Sequence, residues 1–292
     1  MQLINKEQIR QKLAEKIQRL NISNNYAAKQ MRISGATLTH VLNDTWKSKP
    51  ELSLSEQMWR QIASWVGVNS GWQTAETPDY KKIHSVCRIC QTRSLSKAIS
   101  AAPGTGKTYA LKEFAASFPE VYYIECDEYW TKRVFLNALR EAMGLIDSNY
   151  EGGSIYDMVD DIIKFLNKKQ LPLVIIDEFD KLKDPVMNFF KTFYNKTHSA
   201  FVLAGAPYFQ KRIIKGARLQ KQTYQEIFSR IGSEFVGLNG VNDDTVALVC
   251  SANDITDPEQ KQMVINRAAA DLRRVKAEID HLKIKNSIIK AS

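Results

Sequence analysis

The apolar positions of this chain follow two rhythms. Near the start, Ile9, Leu13, Ile17 and Leu20 recur every three or four residues and predict one face of a helix. Residues 21–25 read as a polar turn. Tyr26 to Met31 predicts a short second helix, with Ala27 and Ala28 small enough for close packing. Ser34 can cap a third helix over 35–42, and Met58, Trp59, Ile62 and Trp65 stripe a fourth between Ser55 and Val66. Farther on, short unbroken apolar runs predict buried strands at 95–101 (imperfect at Lys97), 121–124, 173–176 and 200–204. Helical segments separate them at 109–117, 134–143, 155–166 and 186–194. Beyond Gly240 the pattern is helical, over 243–252, 258–270 and 271–282. Strands alternating with helices predict a parallel sheet with crossover helices.

The expected organisation is an all-α unit at 1–68, a linker at 69–84 marked by Gly71, Thr77 and Pro78, an α/β core at 85–238 and a helical lid at 239–292. A chain of 292 residues with 44% hydrophobic content is globular and long enough for two domains. No apolar run approaches the ~20 residues needed to cross a bilayer. The N-terminus has no secretory apolar core, so a cytoplasmic protein without a membrane partner is expected. Four cysteines suit a reducing compartment. Cys87 and Cys90 have a metal-like spacing, but His84 is their only near neighbour of ligand type, so two core-facing thiols are expected.

Charge changes the picture more. The net charge is +9, and most of the excess lies between Lys181 and Lys221. That stretch holds nine cations (Lys181, Lys183, Lys191, Lys196, Lys211, Arg212, Lys215, Arg218 and Lys221) against one acid, Asp184. A polyanion partner follows, and nucleic acid is the commonest.

Two segments carry chemistry. Ala101-Ala-Pro-Gly-Thr-Gly-Lys-Thr108 lies between a predicted strand and a predicted helix. Small residues there let backbone N–H groups wrap phosphates at a helix N-terminus. Pro103, Gly104, Thr105, Gly106, Lys107, Thr108 and Tyr109 are the expected nucleotide contacts. Lys107 would reach the β- and γ-phosphates, and the Thr108 hydroxyl would ligate Mg²⁺. About seventy residues on, the strand Leu173-Val-Ile-Ile176 ends in Asp177 and Glu178. Asp177 would hold the Mg²⁺ shell, and Glu178 would orient or deprotonate the attacking water. The expected cofactors are ATP and Mg²⁺. Ala101 stands where the full phosphate-loop pattern has glycine, which matters if φ must be positive there.

Through these motifs and their order the chain resembles an AAA+ ATPase over residues ~85–285, which implies an ATP-hydrolysing enzyme. Three further positions follow from the resemblance alone. Ile227-Phe-Ser-Arg-Ile231 is similar to the arginine-finger segment, so Arg230 would reach the γ-phosphate of a neighbouring subunit. Asp271-Leu-Arg-Arg274 resembles the second sensor in the lid, with Arg273 the better placed and Arg274 the alternate. Gly205-Ala-Pro207 occupies the first-sensor position, where most members place Asn or Thr; the missing polar tip implies slow hydrolysis.

The first four helices resemble a phage-repressor helix-turn-helix domain. That resemblance implies a third helix in the major groove, with Thr37, Thr39, His40 and Asn43 toward base edges. Arg32, Lys47 and Lys49 would hold phosphates, and Lys181, Lys183, Lys211, Arg212, Lys215 and Arg218 are the candidates from the basic stretch. A helix-turn-helix unit, linker, AAA+ core and small lid together resemble the group of transposon ATPases typified by the phage Mu B transposition protein. This implies ATP-dependent binding to double-stranded DNA with little sequence preference, a head-to-tail homo-oligomer or filament, and delivery of the DNA to a transposase. The competing expectations are a helicase loader or replication initiator, and a transcriptional regulator switched by nucleotide.

Overall fold

The structure, a computed structural model, describes residues 6–20, 22–46, 54–67, 72–146 and 152–291. Lys47, Lys49 and Gly71 lie outside the described residues. The N-terminal region holds α1 Lys6–Leu20, α2 Asn24–Gln30, α3 Gly35–Leu42 and α4 Glu56–Val66. Ser23, Ser34 and Ser55 cap the last three, each side chain accepting a backbone N–H of the first turn. Ile9, Leu13, Ala27, Ala28, Leu38, Val41, Trp59 and Ile62 form their common core. Helical periodicity therefore reads directly into packing here.

The region docks on the rest of the chain through α2. The Tyr26 hydroxyl donates to the Ala142 carbonyl at 3.1 Å, and Arg32 pairs with Glu141 at 3.3 Å. Gly144 accepts the Tyr26 ring; a Cβ there would lie 2.6 Å from it. Arg32 pairs with the body of the protein while most of its side chain stays exposed.

After α5 Pro78–Arg93 comes a parallel sheet of β1 Ser96–Ser100, β2 Val121–Glu125, β3 Leu173–Asp177, β4 Ala200–Gly205 and β5 Phe235–Gly237, ordered β2-β3-β4-β1-β5. The crossovers are α6 Lys107–Ser117, α7 Lys132–Ala142, α8 Ile155–Asn167, α9 Asp184–Lys196, α10 Pro207–Arg218 and α11 Gln222–Arg230. Alternation along β3 divides the core. Leu173 and Ile175 meet Ile83, Cys87, Leu111 and Phe114 of α5 and α6. Val174 and Ile176 meet Phe135, Ile162, Phe190 and Phe209 on the other face. Because helices cover both faces, β3 and β4 are buried along their whole length.

Residues 78–84, expected in the linker, are instead the first turns of α5. Thr77 is its N-cap and Pro78 stands at N1, where the missing N–H costs nothing. Cys87 and Cys90 are free and buried. Burial raises both thiols, Cys90 to about 11, so neither is reactive. The segment expected to form the lid comprises α12 Asp243–Ala252, α13 Pro258–Ala268 and α14 Leu272–Ala291. Fully buried Asn253 ties it to the segment before α5, accepting from the Gln73 N–H at 2.9 Å and donating to its carbonyl at 3.0 Å.

Candidate nucleotide site

In this order β4 lies between β1 and β3, so the carboxyl ends of β1 and β3 open on one edge of the sheet. The phosphate loop leaves β1 and enters α6. Gly104 and Gly106 take φ of +79° and +85°, angles that side chains strain to adopt. Ala101 is not among the positive-φ residues, so alanine stands there without penalty. Its N–H donates to the Gly205 carbonyl at 3.2 Å. No side chain caps α6, which leaves its first-turn N–H groups to an anion. The Thr105 hydroxyl closes the loop on the Ala102 carbonyl at 3.0 Å.

Across the edge, β3 delivers Asp177, which is fully buried. Its Oδ2 accepts the Thr108 hydroxyl at 2.6 Å and its Oδ1 accepts the Glu178 N–H at 2.9 Å. Lys107 Nζ lies 3.9 Å from Asp177 and 4.0 Å from Glu178. Glu178 sits in a left-handed conformation, φ 54°, which turns its side chain away from the strand direction. Burial pushes the Glu178 carboxyl up and Asp177 adds to the rise, while Lys107 opposes it. A hydroxyl, a buried carboxylate and an oxygen-rich surround suit a hard divalent cation such as Mg²⁺.

The lid closes over the loop. Leu272 N–H donates to the Gly104 carbonyl at 2.8 Å, and a Cβ on Gly104 would lie 2.4 Å from the Asp271 carboxylate. Arg273 bonds to Asp271 at 2.9 and 3.2 Å, which holds that carboxyl below its ordinary range. A cavity of about 750 Å³ follows, lined by the loop, Tyr109, Glu178 and Arg273, with Trp72, Tyr80, Val249 and Leu272 as an apolar end. A larger cleft, about 1150 Å³, lies between the N-terminal region and the core and contains no residue of the phosphate loop. The cavity lined by the loop is therefore the candidate nucleotide site.

The other expected residues lie apart. Arg230 ends α11, held by the Asn195 side chain at 3.0 and 3.2 Å and the Glu226 carbonyl at 2.9 Å. At the tip of β4, Asp180 accepts the Ala206 N–H at 3.3 Å, and a Cβ on Gly205 would collide with that carboxylate. Thr37 bonds Ser34, Thr39 bonds the Gly35 carbonyl, and His40 bonds Thr45, all within α3 and its flanks.

The basic stretch divides in two. Lys181 lies 3.8 Å from Asp127, and Lys191 pairs with Glu226 at 3.1 Å. Arg212 bonds the Asp180 and Leu182 carbonyls, Asp184 and Tyr224. Its guanidinium is committed to the fold, so it leaves the set of free phosphate contacts. Lys183, Lys211, Lys215 and Arg218 are exposed. On α10, Tyr208, Lys211, Lys215 and Arg218 recur at three- and four-residue spacing and share one outer face. Sequence reasoning missed this helix because Pro207 after Gly205 reads as a turn; Pro at N1 is its signal.

Comparison with known proteins bears on the fold. Residues 92–213 match the family model described as the AAA domain. That segment of the chain is similar to an AAA domain. Its fold is similar to that of the Aeropyrum pernix ORC2 protein in its ADPNP–ADP complexes, with a TM-score of 0.55 at 11% identity over 75% of this chain and 64% of that one. Cdc6p from Pyrobaculum aerophilum aligns over 76% of this chain and 64% of its own, at 14% identity and a TM-score of 0.49. The chain thus spans 64% of the length of each of these structures. No curated protein matches it. At 11% identity the ORC2 likeness establishes the AAA+ phosphate-loop fold and nothing finer.

Proposed function

We propose that the chain is an ATP-hydrolysing switch that binds double-stranded DNA in its ATP state. The observation that carries this is the convergence of Lys107, Thr108, Asp177 and Glu178 within 4.0 Å at one end of the sheet. Backbone N–H groups from Gly104 to Thr108 would wrap the phosphates, with Pro103, Thr105 and Tyr109 shaping the loop and its cavity. Lys107 would draw charge from the β- and γ-phosphates. Thr108 and Asp177 would hold Mg²⁺, whose charge screens the phosphate oxygens when it is bound. Glu178 would take a proton from an attacking water; its raised carboxyl is a better proton acceptor than an ordinary glutamate. Arg273 would exchange Asp271 for the γ-phosphate as the lid closes. Arg230 would act on the site of a neighbouring copy, which requires a head-to-tail interface and so a ring or helical filament.

The outer face of α10 and Lys183 supply the DNA contact, through phosphates rather than base edges. The helix-turn-helix reading of 1–68 gives Thr37, Thr39 and His40 a supporting place on DNA. Resemblance to the transposon ATPases makes target delivery to a transposase the finer role. A helicase loader or replication initiator shares this fold class and is the second reading. Imaging the protein on random-sequence duplex DNA with ATP, ADP or no nucleotide tests the proposal. Filaments formed only with ATP are expected. Particles at one preferred site would favour a regulator, and no DNA complex with any nucleotide would overturn it. Capture of a transposase rather than a replicative helicase separates the two finer roles.

A further inference from the structure

We infer that Tyr123, on β2, is a positioning residue for Asp177: its hydroxyl, with that of Thr108, holds the carboxylate in the orientation that would meet the metal. The inference rests on the nucleotide reading of the site. Strands β2 and β3 run parallel, with Tyr123 opposite Ile175 and Glu125 opposite Asp177. Alternation puts Tyr123, Glu125 and Asp177 on the face covered by α6. There the Tyr123 hydroxyl donates to Asp177 Oδ2 at 3.2 Å, the same oxygen that accepts Thr108.

Glu125 is the competing acceptor, at 3.4 Å. A phenol has one proton to give. Glu125 already accepts Lys112 Nζ at 2.6 Å, and the Lys112 ammonium lies 5.6 Å from the Tyr123 ring centroid. Asp177 is the nearer acceptor and the buried one, so it has the stronger claim.

A buried carboxylate requires donors. Asp177 has the Thr108 hydroxyl, the Tyr123 hydroxyl and the Glu178 N–H. If Thr108 were to ligate Mg²⁺ through an oxygen lone pair, its proton would still go to Asp177 Oδ2, so Thr108 and Tyr123 would hold that oxygen together. Tyr123 is the hydroxyl on Asp177 with no metal-ligating role of its own, and its bond from the neighbouring strand fixes the carboxylate plane that would face the cation. The sequence contains a matched control. Tyr122 projects to the opposite face of β2 and donates to the Glu120 carboxylate, away from the site.

The test is equilibrium binding of a fluorescent, non-hydrolysable ATP analogue across a Mg²⁺ titration and in EDTA, for wild type, Tyr123→Phe and Tyr122→Phe. It is run below the melting midpoint of each variant. We expect Tyr123→Phe to bind the analogue in EDTA within about two-fold of wild type. Its Mg²⁺ half-saturation should rise ~10-fold, the scale of a lost hydrogen bond to a charged group. With ATP, kcat should fall in proportion at subsaturating Mg²⁺ and recover at high Mg²⁺. Tyr122→Phe should keep the wild-type Mg²⁺ response. A wild-type response in Tyr123→Phe overturns the inference. An equal shift in Tyr122→Phe also overturns it, because general loosening of β2 then explains both. If wild type binds no analogue with or without Mg²⁺, the nucleotide reading itself fails, an outcome distinct from either.

Discussion

The phosphate end of the sheet and the outer face of α10 are both built from charged side chains, in opposite ways. At the phosphate end, Lys107, Thr108, Asp177 and Glu178 lie within 4.0 Å of one another or share bonds, and Asp177 is sealed from water. On α10, none of Lys211, Lys215 and Arg218 is within ion-pair distance of a carboxylate among the described residues. The first region is specified pair by pair and suits one ligand in one pose. The second is specified only by sign and spacing, which suits a uniform polyanion. Substitutions should therefore act steeply at one end and additively at the other.

Lys107→Ala should have the largest effect. It removes the ammonium from a buried carboxylate and from the phosphates, so binding of an ATP analogue by calorimetry should fall below detection. Nucleotide-dependent DNA binding should vanish with it, and wild-type DNA complexes in this variant would break the link between the two regions. Arg230→Ala comes next. Turnover at concentrations that support assembly should fall by ~10³ or more, the range for arginine fingers acting on a neighbour. Single-copy nucleotide affinity should stay within a few-fold, since among the described residues Arg230 meets Asn195, Glu226 and the Tyr194 ring and no residue of the phosphate loop.

Glu178→Gln should lower kcat by ~10²–10⁴ with nucleotide binding kept, the span of a general base. The pH profile gives the sign. Glu178 acts ionised, and burial raises its carboxyl, so wild-type kcat should fall with acidification at a pH above the ordinary glutamate range. The Gln variant should lack that acid limb. A limb that survives the substitution would assign the titration to another group.

The two regions also differ in how they could be read from sequence. The phosphate loop and the acidic pair are contiguous motifs, so Lys107, Thr108, Asp177 and Glu178 were legible as a set. Ser34 announced its helix because a cap acts within one turn, and the helix after Ser55 was legible from its apolar stripe. Tyr123 was not legible. A tyrosine in an apolar strand reads as core, and only the β2–β3 register brings it to Asp177. On α10 the cations were counted as a run, because the helix beginning at Pro207 was not expected. Arg212 could not be separated from its neighbours until Asp184 and Tyr224 were seen to surround it. The short β5 was missed because three residues carry too little pattern.

That division gives a smaller, additive prediction. Replacing Lys211, Lys215 or Arg218 by Gln should weaken DNA binding evenly across sequences. Each should lower the log–log salt slope by about one unit where it meets a phosphate. Arg212→Gln should do the reverse, leaving the slope unchanged and lowering stability by roughly 1–3 kcal/mol through its buried acceptors. Salt titrations and melting curves on all four variants read the contrast directly. An unchanged slope in the three exposed variants would take DNA off α10.

The smallest expected effect probes the hinge behind the site. Ala269 and Ala270 precede Asp271 with φ of 46° and 57°. Gln220, just past α10, is also left-handed, but alone; two consecutive non-glycine residues in this conformation occur only at the hinge among the described residues. An L-residue there is disfavoured by ~1–2 kcal/mol, partly offset in glycine by its greater freedom when unfolded. Gln220→Gly and Ala270→Gly should each raise stability by roughly 0.5–1 kcal/mol. They should part at the nucleotide. Gln220→Gly touches only the end of α10 and should leave ATP affinity alone. Ala270→Gly frees the joint that sets Asp271 against Gly104 and carries Arg273, so affinity should fall about two-fold as the lid loses its fixed angle. Equal affinities in both variants would mean that the hinge strain belongs to the lid's own packing and has no part in the site.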